Sequence, residues 1–131
     1  MDPHEEALLN YLELAVISEQ KRQFSGRDKL LVLAGYEACM AALIDVADRC
    51  RELILKRNSQ HLVGKNDRFH EMVTTPEGAA LIKQLERQIP REQVELLVSE
   101  NSEVSMKKPR PQSPEGEVLR DYVGGLLDQL S

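Results

Sequence analysis

The sequence has few of the residues that recognise nucleic acid. It contains no tryptophan, two phenylalanines and three tyrosines, so aromatic platforms on which bases stack are scarce. Acidic residues outnumber basic ones, and the net charge of −5 lacks the positive surface that phosphate binding needs. These shortages predict that the chain binds no nucleic acid.

Long apolar runs and cysteines are also rare. The longest apolar run, residues 38–44, is far shorter than the ~18 residues of a membrane span. The first residues lack the basic and apolar regions of a secretion signal. Cys39 and Cys50 both lie in apolar contexts, which favours buried reduced thiols over a disulfide. We therefore expect a cytoplasmic protein with no membrane association.

No catalytic or metal-binding motif is present either. The serines, cysteines and histidines show no nucleophile paired with a base, so we expect neither catalysis nor a cofactor. A metal site needs three or four ligands, and its histidines and cysteines usually follow recognised spacings. Four residues in the least regular part of the chain are the candidates for such a site, although they follow no such spacing: His61, Asp67, His70 and Glu71.

The chain does contain apolar residues that recur at helical spacing. Its 131 residues, 41% of them apolar, suffice for one domain with a core. Asp2-Pro3, with Glu5 in the first turn, predicts the start of a helix that ends near Ser25-Gly26. Asn10 and Glu13 are assigned to its solvent side. Its apolar stripe contains Leu8, Leu9, Tyr11, Leu12, Ala15 and Val16.

Residues 27–57 are the most apolar part and allow two interpretations. A heptad spacing indicates one long helix. Alternatively, the chain folds back near residues 42–44 and Asp45 caps a new helix, because the opposite side becomes charged beyond that point. No glycine or proline marks such a turn, so both interpretations stay open. The heptad positions are Val32, Tyr36, Cys39, Leu43, Val46, Cys50 and Leu53, and the charged side includes Asp45, Asp48, Arg49 and Glu52.

Residues 27–60 also have small residues where two helices would touch. Ala34-Gly35, Ala38 and Ala47 are followed by the polar pair Asn58-Ser59. In these positions the segment resembles a single tetratricopeptide-type helical hairpin. It departs from that family at Arg51, where a bulky apolar residue is usual. The resemblance implies a packed helical hairpin and a groove that binds peptides.

The second half of the chain predicts three further helices. The pattern of Asp2-Pro3, a capping oxygen followed by proline, recurs at Thr75-Pro76 and Ser113-Pro114 and predicts a helix start at each. Between them, Pro90 is predicted to begin a short helix. Residues 99–112 have no apolar period and predict a flexible linker rich in proline and serine. We interpret Lys107-Lys108-Pro109-Arg110, inside this linker, as a solvated basic segment.

The C-terminal helix gives the strongest functional signal. It is amphipathic, and Gly124-Gly125 weakens it by roughly 1 kcal/mol per glycine, so its apolar face needs a surface to cover it. That surface belongs to the same chain, a second copy or a partner. The residues predicted to contact a partner are Leu119, Tyr122, Val123, Leu126 and Leu130.

Together these patterns predict an all-α protein. We expect a compact antiparallel helical bundle or helical-hairpin stack of five to seven helices without a sheet. Residues 1–98 form the core, residues 99–112 the linker, and residues 113–131 a helix docked on the core or on a partner. The functional hypothesis is a non-catalytic adaptor or regulatory protein that binds another protein chain or itself. The alternative is a small helical-bundle metal-binding protein or enzyme that uses the four candidate ligands.

Overall fold

Seven α-helices build the part of the chain that the structure describes. The computed structural model describes residues 2–100, 110 and 116–131, and these residues contain no strand. The prediction of an all-α bundle without a sheet is confirmed. No helix within these ranges is both long and apolar enough to cross a membrane. The helices are α1 (Pro3–Gln20), α2 (Phe24–Met40), α3 (Ile44–Arg57), α4 (Phe69–Val73), α5 (Pro76–Gln88), α6 (Arg91–Glu100) and α7 (Gly116–Leu130), with a short 3₁₀ helix (Leu62–Lys65) before α4.

Two of the helices begin with the predicted cap and proline. The Asp2 carboxylate accepts a first-turn N–H at 2.6 Å, and the Glu5 carboxylate accepts the Asp2 N–H at 3.1 Å. In α5 the Thr75 hydroxyl accepts the Gly78 N–H at 3.0 Å. These bonds satisfy N–H groups that a helix start otherwise leaves unpaired. The third predicted cap, Ser113-Pro114, lies outside the described residues.

Tight turns separate α1 from α2 and α2 from α3. Arg22 and Ala42 adopt positive φ angles of 58° and 62° in these turns. In the second turn the Leu43 N–H donates to the carbonyl of Ala38 at 2.7 Å, which is the long bond of a Schellman motif. Residues 27–57 therefore form a hairpin rather than one long helix. Leu43 is the N-cap of α3, whereas the predicted cap Asp45 lies in the first turn.

The predicted end of α1 at Ser25-Gly26 is wrong. The helix stops at Gln20, and Ser25 and Gly26 already belong to the first turn of α2. The reason is that the left-handed position of the turn is occupied by Arg22 instead of a glycine. The predicted end therefore lies five to six residues beyond the observed end of α1.

The hairpin of α1 and α2 forms the centre of the bundle. α1 contacts α2, α6 and α7, while α2 contacts α1, α3, α4 and α5. Because neighbours surround α1, all of its residues 7–18 are buried. The assignment of Asn10 and Glu13 to the solvent side is therefore wrong, since they are only 6% and 4% exposed.

α7 completes the bundle by packing on α1 and α3 of its own chain. Arg120 pairs with Asp45 at 2.6 Å, and Asp128 pairs with Arg49 at 2.9 Å, so α7 runs in the same direction as α3. Its apolar residues belong to the same core as those of α1–α3. α6 extends to Glu100, two residues into the predicted linker, and of the remaining linker only Arg110 lies within the described residues.

Candidate functional site

The four candidate metal ligands have other roles or lie apart. His61 Nδ1 accepts the Val63 N–H at 3.1 Å and so caps the 3₁₀ helix. The Glu71 carboxylate accepts the Arg68 N–H at 2.9 Å at the start of α4. Asp67 is exposed. Across the described ranges, no three His, Cys, Asp or Glu side chains are grouped to hold a metal. We therefore propose no role for His61, Asp67, His70 and Glu71 in metal binding.

Charged side chains of α3 connect this helix to other elements. Asp45 and Arg49 pair with α7, and Asp48 accepts hydrogen bonds from Arg68 Nε at 2.6 Å and from the Phe69 N–H at 3.1 Å. Burial alone would raise the pKa of Asp48, but these hydrogen bonds lower it below its usual value. The carboxylate thereby stabilises the start of α4. The ion pairs of Asp45, Asp48 and Arg49 thus join α3 to α7 and to the start of α4.

A buried carboxylate joins α1, α2 and α6. The Glu37 side chain is 2% exposed and accepts hydrogen bonds from Arg91 at 2.6 and 2.7 Å. His4 Nδ1 lies 2.8 Å from the same carboxylate, within hydrogen-bonding distance. Burial, with nearby Glu37, raises the pKa of Tyr11 to about 12, so its hydroxyl donates to the carbonyl of Ile89 at 3.2 Å. These contacts fix α6 on the central hairpin.

A second buried carboxylate, that of Glu13 on α1, binds Arg110. Arg110 donates to the Glu13 carboxylate at 2.8–3.1 Å and to the Asn10 side chain at 2.5 Å. Burial and the nearby Glu13 raise the pKa of Tyr122 to about 12. Arg110 is thus an anchor rather than a solvated linker residue, whereas residues 107–109 lie outside the described residues. No sequence signal indicates this pair, because 97 positions separate its members.

The C-terminal end of α7 is held by a buried arginine. Arg27 is 2% exposed and donates to the carbonyl of Leu130 at 2.9 Å and to the Asp28 carboxylate at 2.7 Å. Its Nε lies 3.1 Å from Glu19 as an ion pair without hydrogen-bond geometry. A cation at this position also interacts favourably with the negative end of the helix dipole.

The residues predicted to bind a partner lie in the core of the chain itself. Each is at most 5% exposed, and these side chains lie on the side of α7 that packs on α1 and α3. While α7 is docked on α1 and α3 these side chains pack in the core of their own chain, and their role in partner binding stays a prediction. These residues are Leu119, Tyr122, Val123, Leu126 and Leu130.

Both cysteines are free thiols. Burial raises the pKa of Cys39 to about 11 and that of Cys50 to about 12. Because the thiolate is the reactive form, both side chains are poor nucleophiles at neutral pH. Their role is packing in the hairpin of α2 and α3.

A groove of about 260 Å³ lies between α2 and α5, and an exposed large apolar residue, Met40, lines it. Met40 is 45% exposed there, next to the half-buried Tyr36 one helical turn away. The small side chain of Ala79 on α5 leaves room in the opposite wall. Among the described residues, Leu96 and Val118 are also large, apolar and exposed, and neither lines this groove. The α2–α5 groove is lined by Tyr36, Met40, Val73, Ala79, Ile82, Lys83 and Glu86.

The chemistry of the groove is mainly apolar. Lys83 and Glu86 add one charge of each sign. Burial, with Glu86 nearby, raises the pKa of Tyr36, so its hydroxyl is protonated at neutral pH. The groove therefore offers apolar contact, one hydroxyl and two opposite charges, which suits recognition of an apolar side chain with a polar surround.

Comparison with known proteins found no relative. No protein-family model matches the chain, and neither a curated protein nor a solved structure is significantly similar to it.

Proposed function

We propose that this protein is a non-catalytic helical protein that acts by binding another protein chain through the α2–α5 groove. The supporting observation is Met40, which is 45% exposed in a concave apolar surface. Burial of apolar area contributes roughly 25 cal/mol per Å², so a partner that covers this side chain gains free energy. Methionine is also flexible and adapts its shape to a bound side chain.

The partner that fits best is an amphipathic helix of a different protein. A groove of about 260 Å³ accepts one or two apolar side chains rather than a whole helix. Apolar anchors one turn apart on a partner helix match the spacing of Tyr36 and Met40. Lys83 and Glu86 then pair with charges that flank those anchors and orient the helix.

Three further expectations remain proposals. Partner binding or self-association through α7 requires this helix to leave α1 and α3, where its apolar face is buried. The resemblance of residues 27–60 to a tetratricopeptide-type hairpin also stays a prediction, for which α2 and α3 supply the two helices. We keep the cytoplasm as the proposed compartment, because two free thiols suit a reducing environment.

The experiment compares two matched surface variants in affinity capture. Met40→Glu places a charge in the groove, whereas Leu96→Glu changes an even more exposed apolar residue on α6, 58% against 45%. Both variants should keep the wild-type melting temperature, because both side chains face water. We expect Met40→Glu to reduce capture of the partner at least tenfold, equivalent to about 1.4 kcal/mol, and Leu96→Glu to leave it unchanged. Equal capture by the two variants would reject the groove as the binding surface.

A further inference from the structure

Met40 places an oxidisable sulfur in the wall of the α2–α5 groove. It is 45% exposed at the last position of α2, whereas Met72 on α4 is fully buried. Met1 and Met106 lie outside the described residues. A peroxide oxidises a methionine where it can reach the sulfur, so susceptibility follows exposure. Of the two methionines that the structure describes, Met40 is therefore the one that an oxidant in solution reaches.

The two cysteines compete poorly for the same oxidant. A thiol reacts with peroxide mainly in its thiolate form. Burial raises the pKa of Cys39 to about 11 and that of Cys50 to about 12, so almost no thiolate is present at neutral pH. Cys50 is also fully buried. Within the described residues, these properties leave the thioether of Met40 as the most accessible reactive sulfur.

We propose that Met40 is a site of reversible oxidation that switches off partner binding in the α2–α5 groove. The inference rests on the proposed function, because the switch acts on that partner. The Met40 sulfur forms an S–O bond with one oxygen of hydrogen peroxide as the O–O bond breaks, and the other oxygen leaves with both hydrogens as water. Sulfur loses two electrons and peroxide gains them. A dithiol reverses the step through a methionine sulfoxide reductase, since it is oxidised to a disulfide while the sulfoxide oxygen leaves as water.

Oxidation changes the chemistry of the groove wall. The thioether is apolar and flexible, whereas the sulfoxide carries a polar oxygen that accepts hydrogen bonds. An apolar side chain of the partner would remove water from this oxygen without replacing its hydrogen bonds, which corresponds to roughly a fivefold to hundredfold loss of affinity. Because Met40 is exposed, its oxidation takes no packing from the core. A partner seated in the groove covers the sulfur, so binding and oxidation exclude each other.

The first test needs no partner. The full chain is treated with hydrogen peroxide at pH 7, and the sulfoxide at each methionine is followed over time by peptide-resolved mass spectrometry. We expect Met40 to oxidise about tenfold faster than Met72 or more, because the Met72 sulfur is reached only when the chain opens. The melting temperature should stay unchanged after oxidation of Met40. Equal rates at Met40 and Met72, or oxidation of either cysteine ahead of Met40, would overturn the proposal.

The second test measures capture of the partner before and after peroxide, which is removed before the partner is added. Wild type should lose capture at least about fivefold, and a dithiol with methionine sulfoxide reductase should restore it. Met40→Leu keeps the other three methionines and both cysteines. Its capture, relative to its own value before treatment, should not respond to peroxide.

The outcomes separate the switch from the groove itself. A similar loss of capture in Met40→Leu and in wild type, or full capture by wild type with oxidised Met40, overturns the switch. The proposed function then still stands if Met40→Glu reduces capture. If Met40→Glu leaves capture unchanged, the proposed function fails and the switch fails with it.

Discussion

Replacing Leu126 by alanine measures how firmly α7 is docked on its own chain. The Leu126 side chain is 1% exposed and lies in the core that α7 shares with α1 and α3. Truncation of a buried leucine to alanine loses apolar burial and leaves a cavity, and such changes lower stability by about 2–5 kcal/mol. Val118 is the matched control, because it is on the same helix but 51% exposed.

The expected shift in melting temperature follows from the length of the chain. Unfolding entropy is roughly 2.1 cal/mol/K per residue, so 131 residues give about 275 cal/mol/K. A loss of about 3 kcal/mol then lowers the melting temperature by about 10 °C. Val118→Ala should change stability by less than about 0.5 kcal/mol. Thermal and urea unfolding followed by circular dichroism measure both variants.

Two results would refute docking within the chain. One is a destabilisation of less than about 1 kcal/mol for Leu126→Ala, which is too small for a buried leucine. The other is a wild-type melting temperature that rises with protein concentration, because stability then depends on association with a second copy. Docking within one chain predicts a melting temperature independent of concentration.

Three further predictions concern single positions. Ala42→Gly should raise stability by about 0.5–1 kcal/mol in urea unfolding, because the positive φ of 62° is unfavourable for alanine; a lower stability would contradict the turn geometry. Gly35→Ala should lower stability by about 1–3 kcal/mol, because the Cβ of the new alanine would lie 2.5 Å from the Phe69 ring. Gly26→Ala, where nothing lies within 4 Å of the added Cβ, should not lower stability in this way. Asp48→Asn should lower the melting temperature at pH 7, and this difference should shrink as the pH falls below about 4 and disappear only below the depressed folded-state pKa. The folded-state pKa of the Asp48 carboxyl is depressed, so its contribution to folding stability is present above the unfolded-state pKa and is lost as the pH falls through the folded-state pKa. A difference in melting temperature between wild type and Asp48→Asn that does not depend on pH would contradict the ion pair with Arg68.

Much of the fold could be predicted from local sequence signals. The helix starts at Asp2 and Thr75 follow from a capping side chain and a proline, which act within one turn. The apolar face of α7 follows from helical periodicity, and its residues are buried. These features depend on residues that are close in sequence, so no knowledge of the tertiary structure is needed.

The turns and buried charges could not be predicted in this way. Arg22 and Ala42 occupy turn positions that glycine usually fills, so the sequence contained no stop signal there. Glu13 is buried because α2, α6 and α7 surround α1, and its partner Arg110 is 97 residues away. Periodicity identifies a solvent side only when one side of a helix is free.

The candidate site was missed for a related reason. Met40 comes from α2, and the facing wall comes from α5, so the sequence alone does not bring them together. The exposure of one methionine within an apolar segment also has no local signal. Sequence reasoning pointed instead to the apolar face of α7, whose covering surface proved to be within the same chain.

The most direct test of the proposed function is photo-cross-linking from position 40 in living cells. A benzophenone amino acid replaces Met40 in one variant and Leu96 in another, both at exposed positions. Binding through the α2–α5 groove predicts a covalent adduct with a second polypeptide from position 40 and none from position 96. An absence of adducts at position 40, or the same adducts from both positions, would contradict it.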